Sequence, residues 1–127
     1  MILMLFRRDL RLVDHPAFNY AVSLGEPILP LFIFDPRQID PSKNPFHSIH
    51  AVQFLLESIH DLHNAIEEEG GRLHFAHGET AKVINRILRE HPDITHVVGH
   101  PDCTPFARQR DKETADICNK HNVKWIG

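Results

Sequence analysis

The chain has 127 residues, a formal net charge of −3, two cysteines and a hydrophobic fraction of 42%. This length suits one domain, and the acidic balance argues against a general nucleic-acid-binding protein, which is usually basic. No apolar run approaches the roughly 20 residues of a membrane span. The apolar start at residues 1–6 runs into Arg7 and Arg8, the reverse of the order in a signal peptide. Two cysteines are too few for a disulfide scaffold, so we expect an intracellular protein, cytoplasmic or nuclear.

Short apolar runs alternate with longer amphipathic segments along the chain. The apolar runs predict five strands, at residues 1–6, 28–34, 72–76, 95–99 and 123–126. The helical spacing of apolar residues predicts four helices, at residues 17–24, 46–69, 79–90 and 105–121. Strands that alternate with helices are typical of α/β proteins, in which a parallel sheet has helices on both faces. For the strand order we expect 3-2-1-4-5, which places strands one and four at the topological switch point.

The ends and inner faces of the helices are also predicted by residue type. Asp14 is the expected N-cap of the first helix, Pro16 lies in its first turn and Gly25 ends it. The inward residues expected in the last two helices are apolar: Val83, Ile84, Ile87, Leu88, Ala107, Ala115, Ile117 and Cys118.

A dense group of charges follows the first predicted strand, and it has two interpretations. Arginines such as Arg7, Arg8 and Arg11 at the carboxyl edge of a sheet favour binding of a phosphate or carboxylate. Alternatively, these arginines pair with Asp9, Asp14 and Asp111 and brace the loops. Neither G-x-G-x-x-G nor a Walker sequence follows this strand, which argues against ordinary dinucleotide binding and P-loop chemistry.

A second group of charges, in residues 99–111, follows the fourth predicted strand. In the expected strand order this segment faces the first group across one crevice. Acidic and basic side chains of the two groups then either pair across the crevice, or Asp102 and an arginine hold a planar polar ligand there.

Eleven histidines include two pairs at helical spacing, His47 with His50 and His60 with His63. Such pairs can bind a metal ion, but no third ligand is placed by the sequence, so solvated histidines are the favoured interpretation. His100 near Cys103 has a generic spacing that does not by itself indicate a nucleophile and its base.

Three segments together resemble the N-terminal domain of DNA photolyases and cryptochromes: LFRRDLRLVDHPAF at 5–18, LPLFIFDP at 29–36 and DCTPFARQRD at 102–111. The resemblance covers essentially the whole chain, with FLLES at 54–58 between them. It implies that residues 1–127 form a Rossmann-like α/β domain that binds a light-harvesting antenna chromophore. In this family a helical domain follows, which holds catalytic FAD and the DNA lesion and is expected to be the partner of this chain. Because no residues of that domain are in the sequence, we expect neither DNA repair nor direct nucleic-acid contact from this chain alone.

The resemblance implies an antenna site but no catalytic residue and no metal ligand. The matching chromophore-binding residues are Arg8, Phe32, Phe34, Asp102 and Arg108. Cys103 and Thr104 match a folate site poorly, so a deazaflavin or a flavin is favoured over a folate. The sequence departs from the family pattern at His15, where Asn is usual, and at Ala51, where Arg is common.

Two other functions stay open from the sequence. The first is an independent α/β domain that binds an adenine nucleotide, although it lacks a glycine-rich phosphate loop. The second is a ligand-free module that docks a helical partner, for which exposed apolar side chains of Phe46 and Trp125 are the expected signature.

Overall fold

The computed structural model of the chain describes residues 1–7, 15–36, 49–99 and 105–127, which contain five strands and four helices. The strands are β1 (Ile2–Phe6), β2 (Ile28–Phe34), β3 (His74–His77), β4 (His96–Gly99) and β5 (Lys124–Ile126). The helices are α1 (Pro16–Ser23), α2 (Ile49–Glu68), α3 (Thr80–Glu90) and α4 (Pro105–Lys120). The ends of each strand and helix lie within two or three residues of the predicted ends. The exception is the predicted start of α2, because residues 46–48 lie outside the described ranges.

All five strands form one parallel sheet with the order β3-β2-β1-β4-β5. The central strand β1 pairs with β2 on one side, where Phe6 is opposite Phe32, and with β4 on the other, where Leu5 is opposite Gly99. This confirms the predicted α/β class and strand order. The switch point therefore lies between β1 and β4, as expected for this topology.

Alternate residues of β1 point to opposite faces of the sheet and enter two separate core clusters. Ile2, Met4 and Phe6 belong to the first core cluster, which α1 and α2 cover. Leu3 and Leu5 belong to the second core cluster, which α3 and α4 cover. Burial on both faces explains why β1 is apolar at every position.

Burial in the helices follows the apolar pattern in most places. The predicted inward residues of α3 are all buried, and so are Ala107 and Cys118 of α4. Ala115 and Ile117 are only half-buried, whereas Thr114 is fully buried beside them because its hydroxyl donates to the Arg110 carbonyl at 2.8 Å. None of the helices in the described ranges has both the length and the apolar character needed to cross a membrane.

The N-cap of α1 is His15 and not Asp14, so that prediction was wrong by one residue. The His15 side chain is buried, and its Nδ1 accepts a hydrogen bond from the backbone N–H of Phe18 at 3.0 Å. The imidazole also meets the rings of Phe6 and Phe18 edge-on, with centroids 5.6 and 6.3 Å away. Packing of the imidazole against the core therefore selects the cap here, ahead of the general preference for aspartate. Asp14 itself lies outside the described residues.

Candidate ligand-binding edge of the sheet

The candidate site is the carboxyl edge of the sheet, because ligands of open α/β sheets bind there near the switch point. β1 ends there at Phe6, β2 at Phe34 and β4 at Gly99. Arg7 directly follows β1, and α4 begins at Pro105 after the segment that follows β4.

Arg7 is held in a cluster that we name the Arg7 cluster: Arg7, Gly99, Asp111 and Trp125. The guanidinium Nη2 lies 2.6 Å from Oδ1 of Asp111 in α4, and the side chain of Arg7 is only 9% exposed. On its other side the guanidinium lies 5.5 Å from the centre of the Trp125 ring in β5. Both contacts stabilise the cation, one by charge and one through the ring face. Arg7 thus confirms the bracing interpretation, since its charge is already satisfied by the protein.

Gly99 allows this arrangement because it carries no Cβ. A Cβ added there would lie 3.1 Å from Cη2 of Trp125 and 3.5 Å from Cζ of Arg7. The glycine therefore leaves room for the indole and the guanidinium to cross the end of β4.

Trp125 is half-buried and packs against the second core cluster. The expectation of an exposed Trp125 was therefore wrong, because the ring lies between the core and the Arg7 guanidinium. Phe46, the other residue expected to be exposed, lies outside the described residues.

The structure describes three of the five predicted chromophore-binding residues. Phe32 is 5% exposed inside the first core cluster, whereas Phe34 is half-buried at the end of β2. Arg108 is exposed in the first turns of α4. Arg8 and Asp102 lie outside the described residues, so their contacts stay predictions.

The ends of β2 and β4 lie two strand spacings apart at this edge, since β1 separates them. Two spacings are roughly 10 Å, which is the size of a small planar ligand. The first turn of α4 contains no acidic residue, and the N-terminus of a helix favours anions. Phe34 packs against the first core cluster whereas α4 covers the second, so the aromatic ring and the helix that carries Arg108 approach this edge from opposite faces of the sheet.

Phe34 also belongs to a short row of rings that the sequence did not predict. Its centroid lies 4.9 Å from that of Phe32 and 6.1 Å from that of Phe75, with the second pair stacked. Phe75 is 47% exposed on the edge strand β3, and His63 of α2 lies 6.3 Å from it. Phe34 is therefore held by rings on two sides. The alternation of polar and apolar residues at 72–76 was the signal that could have placed Phe75 on one face of a strand.

The histidines of α2 make local contacts. Nε2 of His63 lies 3.0 Å from Oε1 of Glu67, and Nε2 of His60 lies 3.3 Å from Nδ2 of Asn64. Within the described ranges no three His, Cys, Asp or Glu side chains come together in a way that could hold a metal ion. His47, His100 and Cys103 lie outside those ranges.

Comparison with known proteins agrees with the fold and with the three motif segments. Residues 2–127 match the family model described as DNA photolyase. The chain belongs to the DNA photolyase family.

Relatives in this family include both photolyases and cryptochromes. The chain is 31% identical to Cryptochrome-1 of Aedes aegypti over 95% of its own length and 23% of the relative's. It is 29% identical to the (6-4)DNA photolyase of Arabidopsis thaliana over 94% of its own length and 22% of that protein's. The chain therefore spans about a quarter of the length of these relatives.

A solved structure of the family has the same fold over nearly the whole chain. The archaeal photolyase from Sulfolobus tokodaii superposes with a TM-score of 0.91 at 34% identity, over 98% of this chain and 28% of the archaeal one. That protein is described as holding two FAD molecules, with the implication of a novel light-harvesting cofactor. The cryptochrome of Synechocystis sp. PCC6803 shares the fold, with a TM-score of 0.85 at 23% identity over 99% of this chain and 26% of that chain.

Proposed function

We propose that this chain is the light-harvesting domain of a photolyase-type protein and binds an antenna chromophore at the carboxyl edge of its sheet. The observation that carries the proposal is the family match over residues 2–127, and it is supported by the carboxyl edge, where β2 and β4 flank β1. The archaeal relative, described as carrying a second FAD, supports a flavin or a deazaflavin as the chromophore. A folate has no such support.

The proposed contacts divide by chemistry. Phe34 supplies an aromatic wall, and Phe32 backs it from the core. Arg8 and Arg108 would bind acidic or carbonyl oxygens of the chromophore, and Asp102 would accept hydrogen bonds from its ring N–H groups. A bound chromophore would absorb light and pass the excitation on, and the protein fixes its position and orientation. No bond chemistry is assigned to residues of this chain.

The test is a binding titration of the purified chain with FAD, a 5-deazaflavin and a reduced folate, followed by chromophore fluorescence and equilibrium dialysis. We expect saturable binding of the flavin or the deazaflavin and weaker binding of the folate. Failure of all three to bind would overturn the proposal. Binding of adenosine nucleotides alone would favour the adenine-nucleotide alternative.

A matched pair of arginine variants locates the site. Arg108→Gln removes a cation from the first turns of α4 at the carboxyl edge, and Arg89→Gln removes an exposed cation from the last turn of α3 at the opposite edge. We expect weaker binding in the first variant and unchanged binding in the second. Equal loss in both would show that only general charge is involved.

We also propose that the chain functions together with an FAD-binding helical domain, because it spans only about a quarter of the relatives that it matches. The chain alone is then expected to show no light-dependent repair. Size-exclusion chromatography with the separately produced helical domain of the archaeal relative tests the association. Absence of a complex at micromolar concentrations would count against it.

A further inference from the structure

We infer that Gly78 and Thr80 are positioning residues of the proposed site, because they fix the end of β2 and with it the ring of Phe34. This inference rests on the proposed function, in which Phe34 supplies the aromatic wall. Gly78 lies in the turn between β3 and α3, and Thr80 begins α3. Both act through the backbone of β2 and not by touching the chromophore.

The carbonyl of Phe34 is held from the side of β3. The parallel register of β2 and β3 ends with the pair of Phe34 and His77. The next residue, Gly78, donates its N–H to the Phe34 carbonyl at 3.0 Å and extends the ladder by one bond. The peptide group that follows Phe34 therefore cannot turn away from β3 without losing a hydrogen bond.

The same connection holds the residue after Phe34. The buried carboxylate of Asp35 accepts a hydrogen bond from the Thr80 N–H at 3.2 Å and another from the Thr80 hydroxyl at 3.0 Å. Thr80 is only 5% exposed, so water competes little for these bonds. Phe34 is thus held both at its own carbonyl and through its neighbour in the chain.

Glycine at position 78 serves the turn in two ways. Its φ of +143° lies in a region that residues with a Cβ rarely adopt. A Cβ there would also lie 3.2 Å from Cγ2 of Val83 in α3. A side chain at position 78 would therefore displace the turn, and the N–H that Phe34 accepts would move with it.

The ring of Phe34 depends on this backbone for its place at the carboxyl edge. It lies between two other rings, with centroids 4.9 Å away at Phe32 and 6.1 Å away at Phe75. Phe75 is 47% exposed on the edge strand, so this outer neighbour confines the Phe34 ring less firmly than a core residue would. A displaced end of β2 would then present the Phe34 ring to a planar chromophore at a different position and angle.

The deciding experiment compares Thr80→Val with Thr114→Val, the same change at a buried threonine of α4 whose hydroxyl donates to the Arg110 carbonyl of its own helix. Binding of FAD and of a 5-deazaflavin is measured, together with circular dichroism in the absorption bands of the bound chromophore, which depends on its orientation in the site. We expect Thr80→Val to weaken binding about fivefold and to change the circular dichroism at saturation. Thr114→Val should change neither, and Thr80→Ser, which keeps the hydroxyl, should match the wild type. Unchanged binding and circular dichroism in Thr80→Val, or equal losses in both valine variants, would overturn the inference.

The ring resonances of Phe34 in NMR spectra report its place between Phe32 and Phe75 without any ligand. We expect them to shift in Thr80→Val and to stay unchanged in Thr114→Val. If the wild-type chain binds no chromophore, the proposed function fails, whereas a shift of these resonances in Thr80→Val would still show that Thr80 positions the ring, and no shift would overturn the inference as well. If Thr80→Val does not fold, Gly78→Ala tests the same point by displacing the turn. Binding and Phe34 resonances equal to those of the wild type in Gly78→Ala would then overturn the inference.

Discussion

The carboxylate of Asp35 accepts two hydrogen bonds from Thr80, one from its backbone N–H at 3.2 Å and one from its hydroxyl at 3.0 Å. Asp35 directly follows β2, Thr80 begins α3, and both residues are buried. Glu79, the N-cap residue of α3 by position, makes no side-chain capping bond. Asp35 therefore caps α3 from 45 residues away in the sequence. It ties the end of β2, next to Phe34, to the helices that cover the second core cluster.

We expect Thr80→Val, which removes only the hydroxyl, to lower the free energy of unfolding by about 1 kcal/mol. Asp35→Ala should lower it by about 2–3 kcal/mol, because it removes the cap and leaves a buried N–H without its acceptor. Equilibrium unfolding in urea measures both changes.

Glu79→Gln is the control for this pair of variants. The Glu79 side chain forms an exposed ion pair with Lys82 at 3.3 Å, so its loss should change the free energy of unfolding by less than about 0.5 kcal/mol. An Asp35→Ala variant no less stable than Glu79→Gln would show that the cap contributes nothing.

A second cap is tested at His15, where Nδ1 accepts the Phe18 N–H. Asn has an oxygen at the corresponding distance from the backbone, so we expect His15→Asn to keep the cap and lose only ring packing. His15→Ala loses both and should be less stable than His15→Asn by about 1 kcal/mol. Thermal unfolding gives the order of stability.

Exchange of the Phe18 amide hydrogen, followed by NMR, gives a local readout for the same variants. It should stay slow in His15→Asn and become faster in His15→Ala. Equal exchange rates would mean that the histidine acts by packing alone.

Much of the fold was predictable because its signals are local. The apolar runs of β1 and β2 and the stripe of Val83, Ile84, Ile87 and Leu88 depend on burial, which the sequence displays directly. Arg7 with Asp111 was also one of the predicted pairings, since opposite charges were expected across the switch point.

The rest depends on contacts between distant residues, which no local pattern encodes. His15 caps α1 because Phe6 and Phe18 pack on its ring, and Asp35 caps α3 across 45 residues. Leu56 continues the apolar stripe of α2 but is 53% exposed, because the stripe is wider than the face that the sheet covers. Arg8 and Asp102 of the candidate site stay predictions.

Glu26 gives the protein an acid-sensitive contact. Its carboxylate lies 3.1 Å from the amino group of Met1, and that hydrogen bond is the main cause that holds the pKa of Glu26 below its ordinary 4.5. A carboxyl group with a lowered folded-state pKa stabilises the fold above its unfolded pKa, and this contribution is lost as the pH falls through the folded pKa. We therefore expect the contact to stabilise fully at neutral pH and to disappear in acid, below about pH 4.5.

The comparison variant is Glu26→Gln, which removes the charge and keeps a polar side chain near Thr95. The difference in unfolding free energy between wild type and Glu26→Gln, measured in urea from pH 3 to pH 7, should shrink towards acid pH. Since Glu26 is only partly buried, high salt should also shrink this difference. A difference independent of pH would show that the ion pair has no effect on stability.

The thiol of Cys118 is expected to be unreactive in the folded protein. It is fully buried, and desolvation raises its pKa to about 11, so the thiol stays protonated at pH 8, whereas thiol reagents need the thiolate. In a Cys103→Ser background, labelling by Ellman's reagent at pH 8 should follow unfolding and become fast only in denaturant. Rapid labelling of the native protein would contradict the burial of Cys118.

Gly99→Ala tests whether the close approach at the end of β4 holds the Arg7 cluster in place. The new Cβ would lie 3.1 Å from Cη2 of Trp125, so the indole has to move. We expect a loss of about 1–2 kcal/mol in unfolding free energy and a shift in the emission of Trp125, the single tryptophan of the chain.

The double variant Gly99→Ala with Trp125→Phe separates this contact from other effects of the new methyl group. The smaller phenyl ring lacks the atom that the Cβ would crowd, so Gly99→Ala should cost less in the Trp125→Phe background than in wild type. Urea unfolding followed by circular dichroism measures all four proteins of the cycle without relying on tryptophan. Strictly additive effects would place the strain of Gly99→Ala elsewhere, because residues in direct contact are expected to couple.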